Sequence, residues 1–195
     1  MTKLYKPRDI MLDIETLATR NDAAIIQIGA CTFDEKSTFI VSVDQDFYLD
    51  GPGGEDYHVD DRTRAWWAEQ GPEAQESLKL NVVDNVGCAL QEFNKWIKST
   101  GFQKSYKFNG RSVWANGVQF DCSILRYAYS VEQGHNDAAP WHYRQEKDSR
   151  TLYALFHKLA RVKDVDTTGL VKHRADHDCI RQARGVKTIL SAIKP

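Results

Sequence analysis

Residues 9–17 read DIMLDIETL, and this stretch decides the fold. Apolar side chains at positions 10, 12 and 14 alternate with Asp13 and Glu15, and a period of two predicts a β-strand with one buried face. Two more apolar runs follow, at residues 23–33 and 38–49, with short loops between them. Short connections join antiparallel strands, so this part of the chain is predicted to form an antiparallel meander of three strands.

Helical patterns dominate the remainder of the chain. Apolar periodicity predicts helices at about 61–70, 82–99, 119–132, 150–160 and 175–185. One more strand is predicted at 112–116 (SVWAN), with loops at 51–62 and at about 133–147. Three strands followed by alternating helices and strands predict an α/β fold in which α-helices flank a mixed β-sheet. The length predicts a single domain over residues 1–195.

The composition is that of an ordinary globular protein. The 195 residues weigh 22.3 kDa, and 42% are hydrophobic and 27% charged, which excludes collagen-like, disordered and disulfide-rich classes. The formal net charge of −1 excludes a strongly basic nucleic-acid clamp. Residues 1–97 nevertheless carry 9 basic and 18 acidic side chains, and residues 98–195 carry 17 and 9. This asymmetry indicates either a polyanionic partner or scattered surface charge.

The cysteines and the apolar runs bear on the compartment. No cysteine lies in a C-x-x-C pair, so a zinc ribbon and a redox motif are excluded. Cys31, Cys122 and Cys179 lie in apolar runs and are predicted to be buried. The sequence shows no targeting leader and no apolar run near the roughly 20 residues that span a bilayer. We therefore expect a cytoplasmic protein that does not contact a membrane.

Asp13 and Glu15 form the first informative pair. Residues two apart on a strand point to the same side, so the two carboxylates lie next to each other. They repel unless a proton or a cation lies between them, and Mg²⁺ prefers such oxygen ligands. The alternative interpretation is a pair of incidental acids at an exposed strand end.

Three later residues add to the pattern. Asp121 follows the predicted strand 112–116 at the start of a helix, where it either belongs to a site or caps that helix. Asp178 lies in the first turn of the last predicted helix, where the helix dipole also favours an acid. His173 precedes that helix and could serve as a general base, but chemistry alone does not choose between His173 and His177.

The three pieces together resemble the motifs of the DEDDh exonucleases, the DnaQ-like branch of the RNase H-like superfamily. Asp13-Ile14-Glu15-Thr16 resembles the first motif, Asn116 through Asp121 the second, and His173 through Asp178 the third. The resemblance covers about residues 9–186. It aligns His173 with the family's base and leaves His177 as a residue of the helix surface.

Smaller features indicate a branch of that family. Trp66-Trp67 with Gln70, and Arg150-Thr151-Leu152-Tyr153, resemble phage exonucleases and bacterial exoribonuclease-like proteins. Paired tryptophans are otherwise ordinary core residues.

The resemblance implies hydrolysis of phosphodiester bonds from a 3′ end by a two-metal mechanism. Asp13, Glu15 and Asp178 would ligate the Mg²⁺ or Mn²⁺ ion that holds the attacking water. Asp13 would bridge to a second ion, and Asp121 would hold that ion directly or through water. His173 would accept the proton from the attacking water, and the product would be a nucleoside 5′-monophosphate.

The resemblance also implies residues that contact substrate. Thr16 and Leu17 would contact the terminal nucleotide, and Asn116 the substrate backbone. Phe120 either stacks on a base or packs in the core. Arg150 either meets a phosphate or pairs with a surface acid.

The identity of the substrate stays open at this point. We expect the 3′ end of DNA, single-stranded or as an overhang, and the alternative is a 3′–5′ exoribonuclease with the same site. The motifs are identical for both sugars, because only contacts to the 2′-hydroxyl distinguish them. A catalytically silent nucleic-acid-binding module of the same fold is the non-enzymatic alternative. A homodimer is compatible with the aromatic content.

Overall fold

The computed structural model describes residues 6–107, 110–135, 137–156 and 165–193. The strands are β1 (Ile10–Thr16), β2 (Ile25–Thr32), β3 (Thr38–Val43), β4 (Val82–Val83), β5 (Val113–Ala115) and β6 (Glu146–Asp148). The helices are α1 (Phe47–Asp50), α2 (Asp61–Ala68), α3 (Pro72–Ser77), α4 (Val86–Ser99), α5 (Asp121–Gln133), α6 (Ser149–Phe156) and α7 (Ala175–Ala192). Short 3₁₀ helices lie at Gly54–Asp56 and Tyr143–Gln145.

The six strands form one mixed sheet in the order β4-β3-β2-β1-β5-β6. Strands β1, β2 and β3 pair antiparallel, as predicted, and β5 runs parallel to β1. Strands β4 and β6 extend the two edges in parallel pairs. The α/β class and the mixed sheet flanked by helices are confirmed. Because β1 and β5 are neighbouring parallel strands, the segments that follow them start at the same end of the sheet, where the carboxyl ends of both strands lie.

Both sides of β1 are covered by helices. Apolar side chains on one side, among them Leu12 and Ile14, join the main core with α4 and α5. On the other side Met11 is fully buried against α7. Asp13 and Glu15 therefore lie between the sheet and a helix, and not on an open strand face.

The close packing of α7 on the sheet depends on Gly29. This residue pairs with Asp13 across the β1–β2 ladder. A β-carbon at position 29 would lie 2.2 Å from the carbonyl carbon of Ala175 and 2.3 Å from the amide nitrogen of Asp176. The missing side chain lets the first turn of α7 lie directly on β2.

Several boundaries differ from the prediction. The third apolar run ends as a strand at Val43, and residues 47–50 form α1 after a turn in which Asp44 accepts a hydrogen bond from the backbone N–H of Asp46. The helix predicted from residue 82 begins at Val86, because Asn85 caps it by accepting from the backbone N–H of Cys88. Val82, half-exposed, pairs with Ser42 at the sheet edge instead.

The predicted loop at 133–147 contains part of an edge strand. Residues 146–148 read EKD and form β6, which pairs in parallel with β5. A charged tripeptide has no apolar alternation, so the pattern could not indicate a strand. Helix α3 was also missed.

The C-terminal helices partly follow the prediction. Helix α5 begins at Asp121 and not at 119, and α7 continues to Ala192, beyond the predicted 185. Helix α6 begins at Ser149, and residues 157–160 of the predicted helix lie outside the described residues.

Two expectations on burial and membranes can be compared with the structure. Cys31, Cys122 and Cys179 are buried, as predicted, and all four cysteines of the chain are free. Among the described residues, no helix is both long enough and apolar enough to cross a membrane.

Candidate active site

Four carboxylates from three separate segments meet near the carboxyl end of β1. Asp13 and Glu15 end β1, Asp121 begins α5 and Asp178 lies in the first turn of α7. We call these four residues the carboxylate cluster. The structure brings together all of the acids that the sequence singled out.

Asp121 is tied directly to β1. Its Oδ1 accepts a hydrogen bond of 3.2 Å from the backbone N–H of Ile14, the residue between Asp13 and Glu15. Phe120 and not Asp121 occupies the N-cap position of α5. The carboxylate, 4% exposed, therefore connects the helix to the strand rather than serving only its own helix.

The electrostatics of the carboxylate cluster are unfavourable when all four groups are ionised. Burial, followed by the charges of Asp121, Glu15 and Asp178, raises the pKa of Asp13 well above its usual range. Burial and the neighbouring Asp178 and Asp121 raise the pKa of Glu15 to about 8. Burial likewise raises the pKa of Asp121 to about 7. Bound protons or cations would relieve this repulsion.

His173 lies beside the carboxylate cluster. Its imidazole and the carboxylates of Glu15 and Asp178 each offer a ligand atom, and these three atoms lie within 4.8 Å of one another. The backbone N–H of His173 donates to Oδ2 of Asp178 over 2.9 Å, and the residue has the positive φ of 61°. The hydrogen bond to Asp178 holds this uncommon backbone conformation, which directs the side chain toward β1.

Two tryptophans of α2 pack against the His173 ring. The Trp66 ring meets it edge-on at 4.9 Å between centroids, and the Trp67 ring at 6.2 Å. Trp67 is buried and donates from Nε1 to the carbonyl of Thr16, whereas Trp66 is 41% exposed. The paired tryptophans, which in the sequence alone are either a cue to the family branch or ordinary core residues, thus belong to the surroundings of the site.

His177 does more than occupy the helix surface. It is half-buried, and its Nδ1 accepts a hydrogen bond of 2.8 Å from the backbone N–H of Val171. The residue holds the segment that precedes His173 against α7. The sequence predicted a residue of the helix surface and did not predict this hydrogen bond, because spacing along the chain does not show that the preceding loop packs against α7.

A cavity of about 400 Å³ opens next to Glu15. Thr16 and Phe120 line it together with Arg62 and Trp66. The hydroxyl of Thr16 already donates to the carbonyl of Ala18. The cavity therefore offers aromatic and apolar walls and a basic side chain next to a carboxylate.

The remaining residues that the resemblance singled out lie in different places. Leu17 is buried and lines a second cavity, which also borders Trp67. Asn116 follows β5, and its carbonyl accepts a 2.8 Å hydrogen bond from the exposed guanidinium of Arg150. Arg150 also lowers the pKa of Asp121 against the larger effect of burial, so its charge acts on the carboxylate cluster.

Two residues of α7 contact the carboxylate cluster without having been predicted. Arg181 donates to Oδ1 of Asp178 from Nε over 3.0 Å and from Nη2 over 2.9 Å. Gln182 donates from Nε2 to Oδ1 of Asp13 over 2.7 Å. The available signal was their spacing, because residues three and four positions after Asp178 share its side of the helix.

Known proteins resemble this chain over nearly its whole length. A family model described as the 3′-5′ exoribonuclease Rv2179c-like domain matches residues 8–190. A protein of Enterobacteria phage T4, named exodeoxyribonuclease, is 24% identical over 209 residues, which cover 93% of this chain and 88% of the phage protein. Both findings agree with the predicted DnaQ-like, RNase H-like exonuclease family. The chain therefore belongs to the Rv2179c-like family of exoribonuclease domains and is a 3′-5′ exonuclease.

Proposed function

We propose that the carboxylate cluster and His173 form the active site of this exonuclease. The main observation in support of this proposal is that four acids from β1, α5 and α7 converge around one point, with an imidazole beside them. Acids placed this close lower the stability of a metal-free fold, so a role in cation binding explains their placement better than a structural role.

The residues fit divalent cations such as Mg²⁺ or Mn²⁺. Hard divalent cations prefer carboxylate oxygens. Burial raises the pKa values of Asp13, Glu15 and Asp121, and neighbouring acids of the carboxylate cluster add to the effect at Asp13 and Glu15. Asp13, Glu15 and Asp178 would hold one ion, and Asp13 and Asp121 a second. When bound, the ions would supply an activated water and stabilise the leaving 3′-oxygen.

His173 is proposed to accept the proton from the attacking water. Burial, reinforced by the charge of Lys172, lowers the pKa of the imidazole below its usual value. At neutral pH the ring is therefore largely neutral and can take up a proton. Trp66 and Trp67 restrict its movement.

Replacing His173 by alanine is expected to reduce kcat by about 10²–10⁴-fold, the usual contribution of a general base. Binding of Mn²⁺ should change little, because the four carboxylates remain. Single-turnover digestion of a labelled oligonucleotide measures the rate, and His135→Ala, a change at an exposed histidine of the loop after α5, is the matched control. Full turnover by His173→Ala would contradict the assigned base.

The proposed substrate is the 3′-terminal nucleotide of a single strand. The cavity next to Glu15 combines the aromatic rings of Phe120 and Trp66 with Arg62, which suits a base and a phosphate. We place Thr16 in this contact as well. Asn116, which follows β5, and Arg150 of α6, which donates to the carbonyl of Asn116, are proposed to meet the substrate backbone.

The sugar is the point on which the relatives differ. The family model is described by its exoribonuclease activity, and the phage relative is named an exodeoxyribonuclease. We take RNA as the first candidate, because the family model shows the family to which the chain belongs, whereas the phage relative is only 24% identical. DNA is the second candidate.

Parallel digestion of RNA and DNA oligonucleotides of one sequence separates the two candidates. The substrates should be offered as single strands and as 3′ overhangs, with Mn²⁺ present and a chelator as the negative control. A higher kcat/KM on RNA, with release of nucleoside 5′-monophosphates, is the expected result. A preference for DNA would support the second candidate, and the absence of digestion of both would contradict the proposed site.

A further inference from the structure

Gln182 is a buried polar residue beside the carboxylate cluster, and packing alone does not explain why an amide lies there. It lies on α7, one turn after Asp178, and is only 3% exposed. Its Nε2 donates to Oδ1 of Asp13 over 2.7 Å. An apolar side chain of similar size would fill the same space without bringing an amide into the interior.

The amide oxygen of Gln182 has no partner. Among the described residues, Oε1 is the one buried side-chain nitrogen or oxygen atom that forms no hydrogen bond. A buried acceptor left unsatisfied costs about 1–3 kcal/mol. When Asp13 is ionised, as a cation ligand is, turning the amide over would remove the donor and direct an oxygen at the carboxylate, so the observed orientation is the favourable one for that state.

The backbone of Gln182 is also held in place. Its carbonyl accepts a hydrogen bond of 2.9 Å from the hydroxyl of Tyr153 on α6. Tyr153 can approach because residue 185 is glycine, where a β-carbon would lie 2.8 Å from that hydroxyl. The amide is therefore presented to Asp13 from a position that both helices fix.

We infer that Gln182 is a positioning residue that orients the carboxylate of Asp13 for divalent cations. The hydrogen bond to Oδ1 fixes the plane of the carboxylate and thereby the direction of Oδ2. The free Oε1 belongs to the same amide and so lies beside the carboxylate cluster, where it can accept a hydrogen bond from a water that hydrates the cation. This inference rests on the proposed function of the carboxylate cluster.

The test replaces Gln182 by methionine, which keeps the length and volume of the side chain but removes the amide. Titration calorimetry with Mn²⁺ alone, without substrate, measures cation affinity directly. We expect the apparent Kd to rise by about 10–100-fold, the range seen when partners of metal ligands are removed. The midpoint of urea denaturation without metal should change little, because the loss of the buried, unpaired acceptor offsets the loss of the hydrogen bond to Asp13.

Gln145→Met is the matched control. Gln145 is also buried, at 2% exposure, but its amide donates to the carbonyls of Gln103 and Arg111 and accepts from the backbone N–H groups of Ser105 and His142. The same substitution there should lower the urea midpoint and leave the Mn²⁺ affinity unchanged.

The outcomes separate this inference from the proposed function. Unchanged Mn²⁺ affinity in Gln182→Met, while the wild-type protein binds Mn²⁺, overturns the positioning role and leaves the proposed function intact. Weakened binding with a much lower urea midpoint also overturns it, because the loss would then be structural. Absence of Mn²⁺ binding by the wild-type protein overturns the proposed function together with the inference.

Discussion

Asp13→Asn is expected to abolish nuclease activity and at the same time to stabilise the metal-free protein. The loss of activity should exceed the about 10²–10⁴-fold effect of removing a general base, because Asp13 is proposed to be shared by both cations. An asparagine side chain keeps the size of aspartate and can still accept from Gln182. Digestion of the labelled oligonucleotide measures the first effect, and urea denaturation in the presence of a chelator measures the second.

The gain in stability should depend on pH. The folded protein raises the pKa of Asp13 far above that of an unfolded chain, so the folded state holds this proton more tightly. Stability that depends on the proton is present at low pH and is lost as the pH rises above the ordinary range of an aspartate. Asparagine does not titrate, so the advantage of Asp13→Asn should grow from pH 5 to pH 8.

A matched change at another buried aspartate tests whether this effect is specific to the carboxylate cluster. Asp9 is buried, but its carboxylate accepts hydrogen bonds from the backbone N–H groups of Lys6 and Ser112 and from the indole of Trp114. Asp9→Asn should therefore lower stability. A loss of stability in Asp13→Asn that matched the control would contradict the repulsion described for the carboxylate cluster.

Gly29→Ala is expected to cause a large loss of stability. The new β-carbon would lie 2.2 and 2.3 Å from backbone atoms of Ala175 and Asp176, and backbone atoms cannot turn aside as a flexible side chain does. Overpacking usually costs about 1–3 kcal/mol and occasionally more, and we expect the upper end of that range. Activity should fall as well, because α7 carries Asp178.

Gly71→Ala is the control for this substitution. Gly71 precedes α3 with a φ of −60°, and a β-carbon there meets nothing within 4 Å. Its urea midpoint should stay close to that of the wild-type protein. A Gly29→Ala variant with wild-type stability and activity would show that α7 does not need its close approach to β2.

The sequence predicted the parts of the fold that depend on local periodicity. The alternation in residues 9–17 identified β1, and helical spacing identified α4 and α7. Pairing between distant segments decided the strands that were missed. Strand β6 is charged, and it forms by pairing with β5. Val82, which was predicted to lie in a helix, pairs with β3 instead.

The carboxylate cluster was accessible from the sequence for a different reason. Its members are spaced along the chain as in a known family, and acids in this pattern are chemically distinctive. The surroundings were not accessible, since tryptophan usually serves packing and glutamine usually lies at the surface, so neither Trp66 nor Gln182 stands out in the sequence. Their contacts with His173 and Asp13 depend on how α2 and α7 lie on the sheet, which no local pattern encodes.

The bonds that assemble the site join residues far apart along the chain. Asp121 reaches Ile14 across 107 positions, and Gln182 reaches Asp13 across 169. Contacts between residues this far apart are expected to form late in folding, because long loops must close first. During synthesis β1 leaves the ribosome long before α7 exists, so the growing chain carries Asp13 and Glu15 without Asp178. On the proposed function, nuclease activity is therefore expected only after α7 has docked on the sheet, and an unfinished chain should not digest the nucleic acid around it.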